Sequence, residues 1–177
     1  MQSYAVDEWK DAGLLLEATF TPLAFGGHWM PGTGAEHQER LAAYDHVAST
    51  GVHLSDRSKG RVSLSRDGSL RITYRLIRED AHRLSFGIAR AAELFYAAGA
   101  REVYPQLGGV PVLPRNRIAE LDASPPPARR MRLEAFHPLG TARMDADPAY
   151  GVVAPSGAVH GYEGLYVADG SLFPSSI

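Results

Sequence analysis

The chain has 177 residues, 45% hydrophobic and 21% charged, with 18 basic side chains against 20 acidic ones and no cysteine. That size suits about one globular domain, and the lack of cysteine excludes disulfides, thiolate metal centres, iron–sulfur clusters and a cysteine nucleophile. A net charge of −2 gives no long-range field to gather phosphates, so no nucleic-acid partner is expected.

No apolar run approaches the roughly 20 residues that span a bilayer. The start of the chain lacks a basic stretch followed by an apolar core, so no secretory leader is visible. A soluble, cytoplasmic chain without a transmembrane segment is the expectation. The 18 glycines and 12 prolines exceed the usual share and predict many turns and loops.

Residues 14–20 (Leu-Leu-Leu-Glu-Ala-Thr-Phe) read as a strand, because a short apolar run closed by Thr21-Pro22 is too brief for a helix. Gly26-Gly27-His28-Trp29-Met30-Pro31-Gly32 reads as loop or broken helix, residues 35–43 as a short helix, and residues 46–54 as a second strand. Next, Val62 and Leu64 alternate with polar residues, Asp67-Gly68 makes a turn, and Leu70, Ile72, Tyr74 and Leu76 alternate again. This pattern predicts a β-hairpin with one buried apolar face.

The best helix covers residues 80–98. Leu84, Ile88, Ala91, Ala92 and Phe95 fall at helical spacing, Glu79 and Asp80 open it, and Gly99 closes it. A strand-like Glu102-Val103-Tyr104, a Gly- and Pro-rich loop and the breaker Ser124-Pro125-Pro126-Pro127 follow. The expected class is α+β: an antiparallel sheet with a packed helix, then a tail containing a short buried strand at residues 165–168.

Several chemistries lack their residues. Gly32-Thr33-Gly34-Ala35-Glu36-His37 lacks the third glycine of a dinucleotide fingerprint and follows a loop. No Gly-x-Ser-x-Gly elbow is present. The seven histidines show no metal-ligand spacing, and His46 and His53, read on one strand, would face opposite ways, so no metal is expected.

The tail holds the strongest pattern. Residues 136–144 are Phe-His-Pro-Leu-Gly-Thr-Ala-Arg-Met, and residues 161–174 are Gly-Tyr-Glu-Gly-Leu-Tyr-Val-Ala-Asp-Gly-Ser-Leu-Phe-Pro. Asp169-Gly170 is either a simple turn pair or a place where backbone N–H groups approach a cofactor closely. His137 is either a capped loop histidine or a base, since imidazole titrates near neutral pH. Glu17, inside an apolar strand, is either a solvent-facing residue or a functional carboxylate.

The ordered series resembles the C-terminal signature of the glucose-methanol-choline (GMC) oxidoreductases, flavin-dependent enzymes that oxidise alcohols. The end of the tail, residues 166–177, resembles cholesterol oxidases and long-chain alcohol oxidases in particular. The resemblance implies FAD as cofactor, an alcohol as substrate, an apolar one of sterol or long-chain type, His137 as catalytic base, Asp169 and Gly170 as cofactor-binding residues, and Glu17 as a second catalytic carboxylate. It further implies that residues 1–127 are a substrate-binding region and residues 128–177 a segment contributing to the FAD site, within a Rossmann-like domain.

Two family features are not seen in the 177 residues. One is the Gly-rich N-terminal FAD-binding fingerprint; the other is the Gly-Val-Asn-Pro stretch whose Asn pairs with the catalytic histidine, expected just beyond Ile177. The expectation is therefore an incomplete oxidoreductase that needs an FAD-binding domain or partner chain. The rival expectation is a non-catalytic binding or structural remnant that keeps the sheet.

Overall fold

A computed structural model describes residues 2–176 of the chain. Contacts divide it into two compact units, residues 1–54 with 77–132, and residues 55–76 with 133–177. The class is α+β.

In the first unit, strands β1 (Gln2–Val6), β2 (Leu14–Thr19) and β3 (Ser49–Leu54) form an antiparallel sheet in that order. Gly13, at φ 68°, closes the 3-10 turn that leads into β2, a left-handed conformation that glycine adopts without a Cβ clash. Short helices α1 (Leu23–Gly26) and α2 (Gly34–Ala42) lie between β2 and β3. The second strand is shorter than expected, because His46 belongs to a 3-10 turn, Tyr44–His46, ahead of β3. His46 and His53 therefore do not share a strand.

Period-two alternation aims Leu14 and Leu16, both 2% exposed, at one face of the sheet. Helix α3 (Arg78–Ala97) covers that face, packing on β2 and β3. It presses closest at Gly87, where an added Cβ would lie 2.5 Å from Val52 Cγ1. The buried Asp80 carboxylate meets Arg83 at 3.0 Å, and the Arg83 guanidinium also donates to the Ala12 carbonyl. A buried charge is tolerated when it is paired in this way.

Helix α4 (Ile118–Ala123) docks on α3 through Ile118 and Leu121, and the buried Ser85 hydroxyl donates to the Leu121 carbonyl at 2.8 Å. The Tyr96 hydroxyl donates to the Leu113 carbonyl at 2.7 Å. Residues 102–104 form no strand; Val103 is buried, and its carbonyl accepts one bond from the Leu113 amide. A single bond closes a loop but starts no ladder.

In the second unit, β4 (Lys59–Leu64) and β5 (Leu70–Arg75) form the expected hairpin, with Val62 opposite Ile72 and Leu64 opposite Leu70. Asp67 accepts from the Ser69 amide and hydroxyl at the turn, and Gly68 has φ 81°. The shared apolar face is present, but it is not buried as expected. Leu64, Leu70 and Ile72 are 73%, 63% and 68% exposed, and Leu76 alone of the set is buried. A two-stranded sheet has no second layer of its own, so its apolar face stays open unless another element covers it.

The tail, residues 133–176, is built from turns and isolated bridges around the fully buried Val153, which pairs with Met144 and with Val159. Residues 165–168 form no buried strand. One bridge, Ala158 with Tyr166, replaces it, and Leu165 and Tyr166 are exposed. Among the described residues, no helix is long and apolar enough to cross a membrane.

Candidate active site

The tail brings together two of the sequence-predicted pieces. The Ala142 amide donates to the Ser171 carbonyl at 3.0 Å, and the Met144 amide to the Leu172 carbonyl at 2.8 Å. These bonds lay the segment after His137 alongside the segment after Asp169. Contact is closest at Gly170, where a Cβ would stand 3.0 Å from Leu139 Cδ2 and 3.6 Å from the Pro138 carbonyl oxygen. Gly140, at φ 81°, supplies the sharp turn that follows the stiff Pro138.

Asp169 caps a short 3-10 turn, Gly170–Leu172, its carboxylate accepting from the Ser171 amide at 2.8 Å. The Ser171 hydroxyl, and then that amide, hold the Asp169 carboxyl below the usual carboxylate range. Ser171 does not stand out in the sequence as a site residue, although a Ser or Thr two residues after Asp is a recognisable capping signal.

His137 is exposed, and among the described residues no group hydrogen-bonds its ring. His160 differs: its Nε2 lies 3.0 Å from the Asp145 carbonyl and its amide donates to Val152. His160 ties the tail together, whereas the His137 ring stands exposed.

Glu17 lies in the first unit, on the face of the sheet turned away from Leu14 and Leu16. Its carboxylate is 2.7 Å from His53 Nε2, with the two side chains 17% and 42% exposed. His53 was considered only as a metal ligand in the sequence, because nothing there fixes which strands pair. Among the described residues no three acidic or imidazole groups gather to hold a metal ion.

The first unit also has an open recess of about 240 Å³, lined by residues including His28, Met30, Gln106 and Arg132. Gln106 adopts φ 55° and donates to the Trp29 carbonyl at 2.8 Å. None of the sequence-predicted site residues lines this recess.

The residue types of the tail are compatible with one end of a flavin cofactor. Gly170 keeps a side chain out of a place where the end of Leu139 already lies close, and Asp169 and its turn present polar groups at the surface. A grip for the adenosine diphosphate end is not found among the described residues: Gly32 precedes α2 and Gly34 opens it, but a loop and not a strand leads into them.

Residues 56–177 match the GMC oxidoreductase family. The chain is 36% identical to an uncharacterized GMC-type oxidoreductase of Mycobacterium tuberculosis strain CDC 1551, over 99% of this chain and 28% of that protein. It is 28% identical to the long-chain-alcohol oxidase FAO1 of Arabidopsis thaliana, over 82% of this chain and 20% of the relative. It is 30% identical to an oxygen-dependent choline dehydrogenase of Rhizobium rhizogenes, over 84% and 27% respectively. The chain thus spans about a quarter of the length of these curated relatives. No solved structure matches it significantly.

Proposed function

The chain belongs to the GMC oxidoreductase family, and from that premise we propose that it forms the base-bearing part of an FAD-dependent alcohol oxidoreductase. Residues 1–127 serve substrate binding and residues 128–177 contribute to the flavin site. The observation that supports this reading best is the packing of Pro138 and Leu139 against Gly170, which sets the neighbours of His137 beside the Asp169 turn.

In the reaction a CH–OH carbon is oxidised to a carbonyl. The hydroxyl proton goes to the neutral His137 imidazole, and the carbinol hydrogen leaves with its electron pair. FAD, when bound, supplies the acceptor for that hydride. Imidazole suits the proton transfer because its ordinary pKa lies close to neutral pH, so the free base and its conjugate acid are both accessible. Asp169 and Gly170 line the cofactor's approach, and Glu17, steadied by His53, is a second carboxylate for orienting the substrate or moving a proton. The substrate is an alcohol, an apolar long-chain one in the first instance, as the name of the Arabidopsis relative suggests for that protein.

The test supplies the chain with an FAD-binding polypeptide and follows anaerobic bleaching of the flavin on addition of a long-chain alcohol. Bleaching that depends on His137 and survives His82→Ala, a change at an exposed site on α3, is the expected result. Flavin that binds normally and reduces equally fast in His137→Ala would overturn the proposal.

A further inference from the structure

The face of the first unit's sheet turned away from α3 carries a polar strip that proton transfer at His137 does not use. Alternation puts Leu15, Glu17 and Thr19 of β2 on that face, opposite His53, Gly51 and Ser49 of β3. Strands β1 to β3 hold one acid, Glu17, and one base, His53. Their 2.7 Å contact crosses the diagonal over Gly51, and the carboxylate is the deeper partner, 17% exposed against 42% for the imidazole. The ring screens the acid from solvent on its own side.

What the strip still offers is acceptors. Glu17 Oε2 receives the His53 Nε2 proton, which the ring can donate in either of its charge states, while Oε1 has no hydrogen-bond partner among the described residues. Further along the same face the Ser49 hydroxyl donates to the Thr19 carbonyl at 2.8 Å, so the Thr19 hydroxyl supplies the proton of its own 3.0 Å contact with Ser49 Oγ. Both hydroxyl protons are engaged. A ligand of this strip therefore gains most by donating an O–H. A quaternary ammonium has no N–H to donate, and it is drawn only by an uncommitted carboxylate; this one is already bonded to His53.

We propose that His53 is a positioning residue that turns Glu17 into a charge filter: tethered to the imidazole, the carboxylate accepts the hydroxyl of a neutral alcohol and discriminates against alcohols that carry a quaternary ammonium. This inference rests on the reading of Glu17 as a substrate-facing carboxylate and adds the charge class of the substrate to it. Specificity of this kind needs an element that disfavours the wrong ligand as well as one that favours the right one, and the imidazole supplies it. Relatives of the chain are named for alcohols of both kinds, long-chain alcohol in one and choline in another.

Choline and 3,3-dimethylbutan-1-ol separate charge from shape, because a quaternary nitrogen in one replaces a carbon in the other. Both are titrated into the isotopically labelled 177-residue chain, with the amide signals of Glu17, Gly51 and His53 followed by NMR. The wild type should bind the neutral alcohol more tightly by on the order of ten-fold, the weight of one hydrogen bond to a charged group. His53→Ala should tighten choline by about the same factor and leave the neutral alcohol unchanged or weaker. His53→Gln, whose amide donates to the same oxygen, should keep the wild-type preference. Gly51→Ala, whose Cβ crowds the ring at 3.1 Å, should shift the preference in the direction of His53→Ala. In Glu17→Gln combined with His53→Ala the gain for choline should disappear, because the charge that draws it is gone.

A preference unchanged in His53→Ala overturns the proposal, and so does equal binding of the two alcohols by the wild type. Equal weakening of both ligands in a His53→Ala chain with an otherwise wild-type amide spectrum assigns the ring a structural role only, and a His53→Gln preference matching that of His53→Ala shows that the tether is not what matters. Absence of shifts at the three amides, in the chain and in the FAD-supplied protein alike, also overturns it. Flavin reduction by the two alcohols is scored separately in the FAD-supplied protein. A His53-dependent binding preference without bleaching keeps the filter and removes the oxidoreductase reading, and bleaching whose alcohol preference ignores His53 does the reverse.

Discussion

The Glu17 carboxylate reaches His53 Nε2 at 2.7 Å although the two are not register partners: Glu17 stands opposite Gly51, and His53 opposite Leu15. Gly51 opens the diagonal. A Cβ there would lie 3.1 Å from His53 Nε2, so any larger residue crowds the ring as it leans toward Glu17. A partly exposed pair of this kind contributes about 0.2–1 kcal/mol. A double-mutant cycle of Glu17→Gln and His53→Ala in urea unfolding should return a coupling in that range, and Gly51→Ala should remove most of it. A coupling unchanged by Gly51→Ala would show that the ring does not need the space.

The contact of Gly87 with Val52 makes a sharper stability prediction. Alanine is the better helix former by about 1 kcal/mol, so on propensity alone Gly87→Ala should stabilise α3. Its Cβ, however, would stand 2.5 Å from Val52 Cγ1 and 3.4 Å from Leu14 Cδ2, and a β-branched strand residue cannot swing clear. Overpacking costs about 1–3 kcal/mol, so the net change should be a loss. Adding Val52→Ala should recover part of it, a non-additivity read directly in thermal unfolding. Gly87→Ala that raises the melting temperature would mean the helix simply moves outward.

How much of this was legible follows from the range of the forces. Local patterns sufficed for α3 and for the β4–β5 pairing, because helical spacing and an Asp-Gly turn act within a few residues. They did not suffice for burial. Alternation puts Leu64, Leu70 and Ile72 on one face, but only a covering layer makes that face a core, and no local pattern encodes the layer. Residues 165–168 failed for the same reason: an apolar run becomes a buried strand only with neighbours on both edges. The approach of Gly170 to Leu139 was legible only as a resemblance, since 30 residues of intervening chain separate the two. The Glu17–His53 contact depends on which strands pair, a long-range fact.

Asp169 gives the prediction for pH. Its carboxyl is held below the ordinary range, first by the Ser171 hydroxyl and then by the Ser171 amide. A carboxyl depressed in the folded state binds its proton later than in the unfolded chain. Its contribution is therefore present above the unfolded-state value, about pH 4, and is lost as pH falls through the lower folded value. Ser171→Ala removes the larger cause and should move the Asp169 titration, followed by carbon-13 NMR of the carboxyl, upward toward the ordinary range. Asp169→Asn should flatten the acid limb of the stability profile. No movement in Ser171→Ala would mean that the amide alone holds the carboxylate.

The last prediction separates the chemistry of His137 from its placement. If His137 accepts the hydroxyl proton, His137→Ala in the FAD-supplied protein should lower kcat/KM by about 10²- to 10⁴-fold, the range for a positioned base, with flavin still bound. Gly170 tests placement without touching the imidazole. The Cβ of Gly170→Ala would meet the flexible end of Leu139 at 3.0 Å and the Pro138 carbonyl at 3.6 Å, so alanine is accommodated by a small leucine shift. Gly170→Val adds branches that reach the 138–140 backbone and push the segment carrying His137 away. Alanine should then leave the rate within a few-fold, and valine should lose most of the His137 contribution. The double variant His137→Ala with Gly170→Val should be little worse than His137→Ala alone, because two changes acting through one base do not add. Fully additive losses would show that Gly170 acts on cofactor binding and not through His137, and flavin content after gel filtration would register that difference directly.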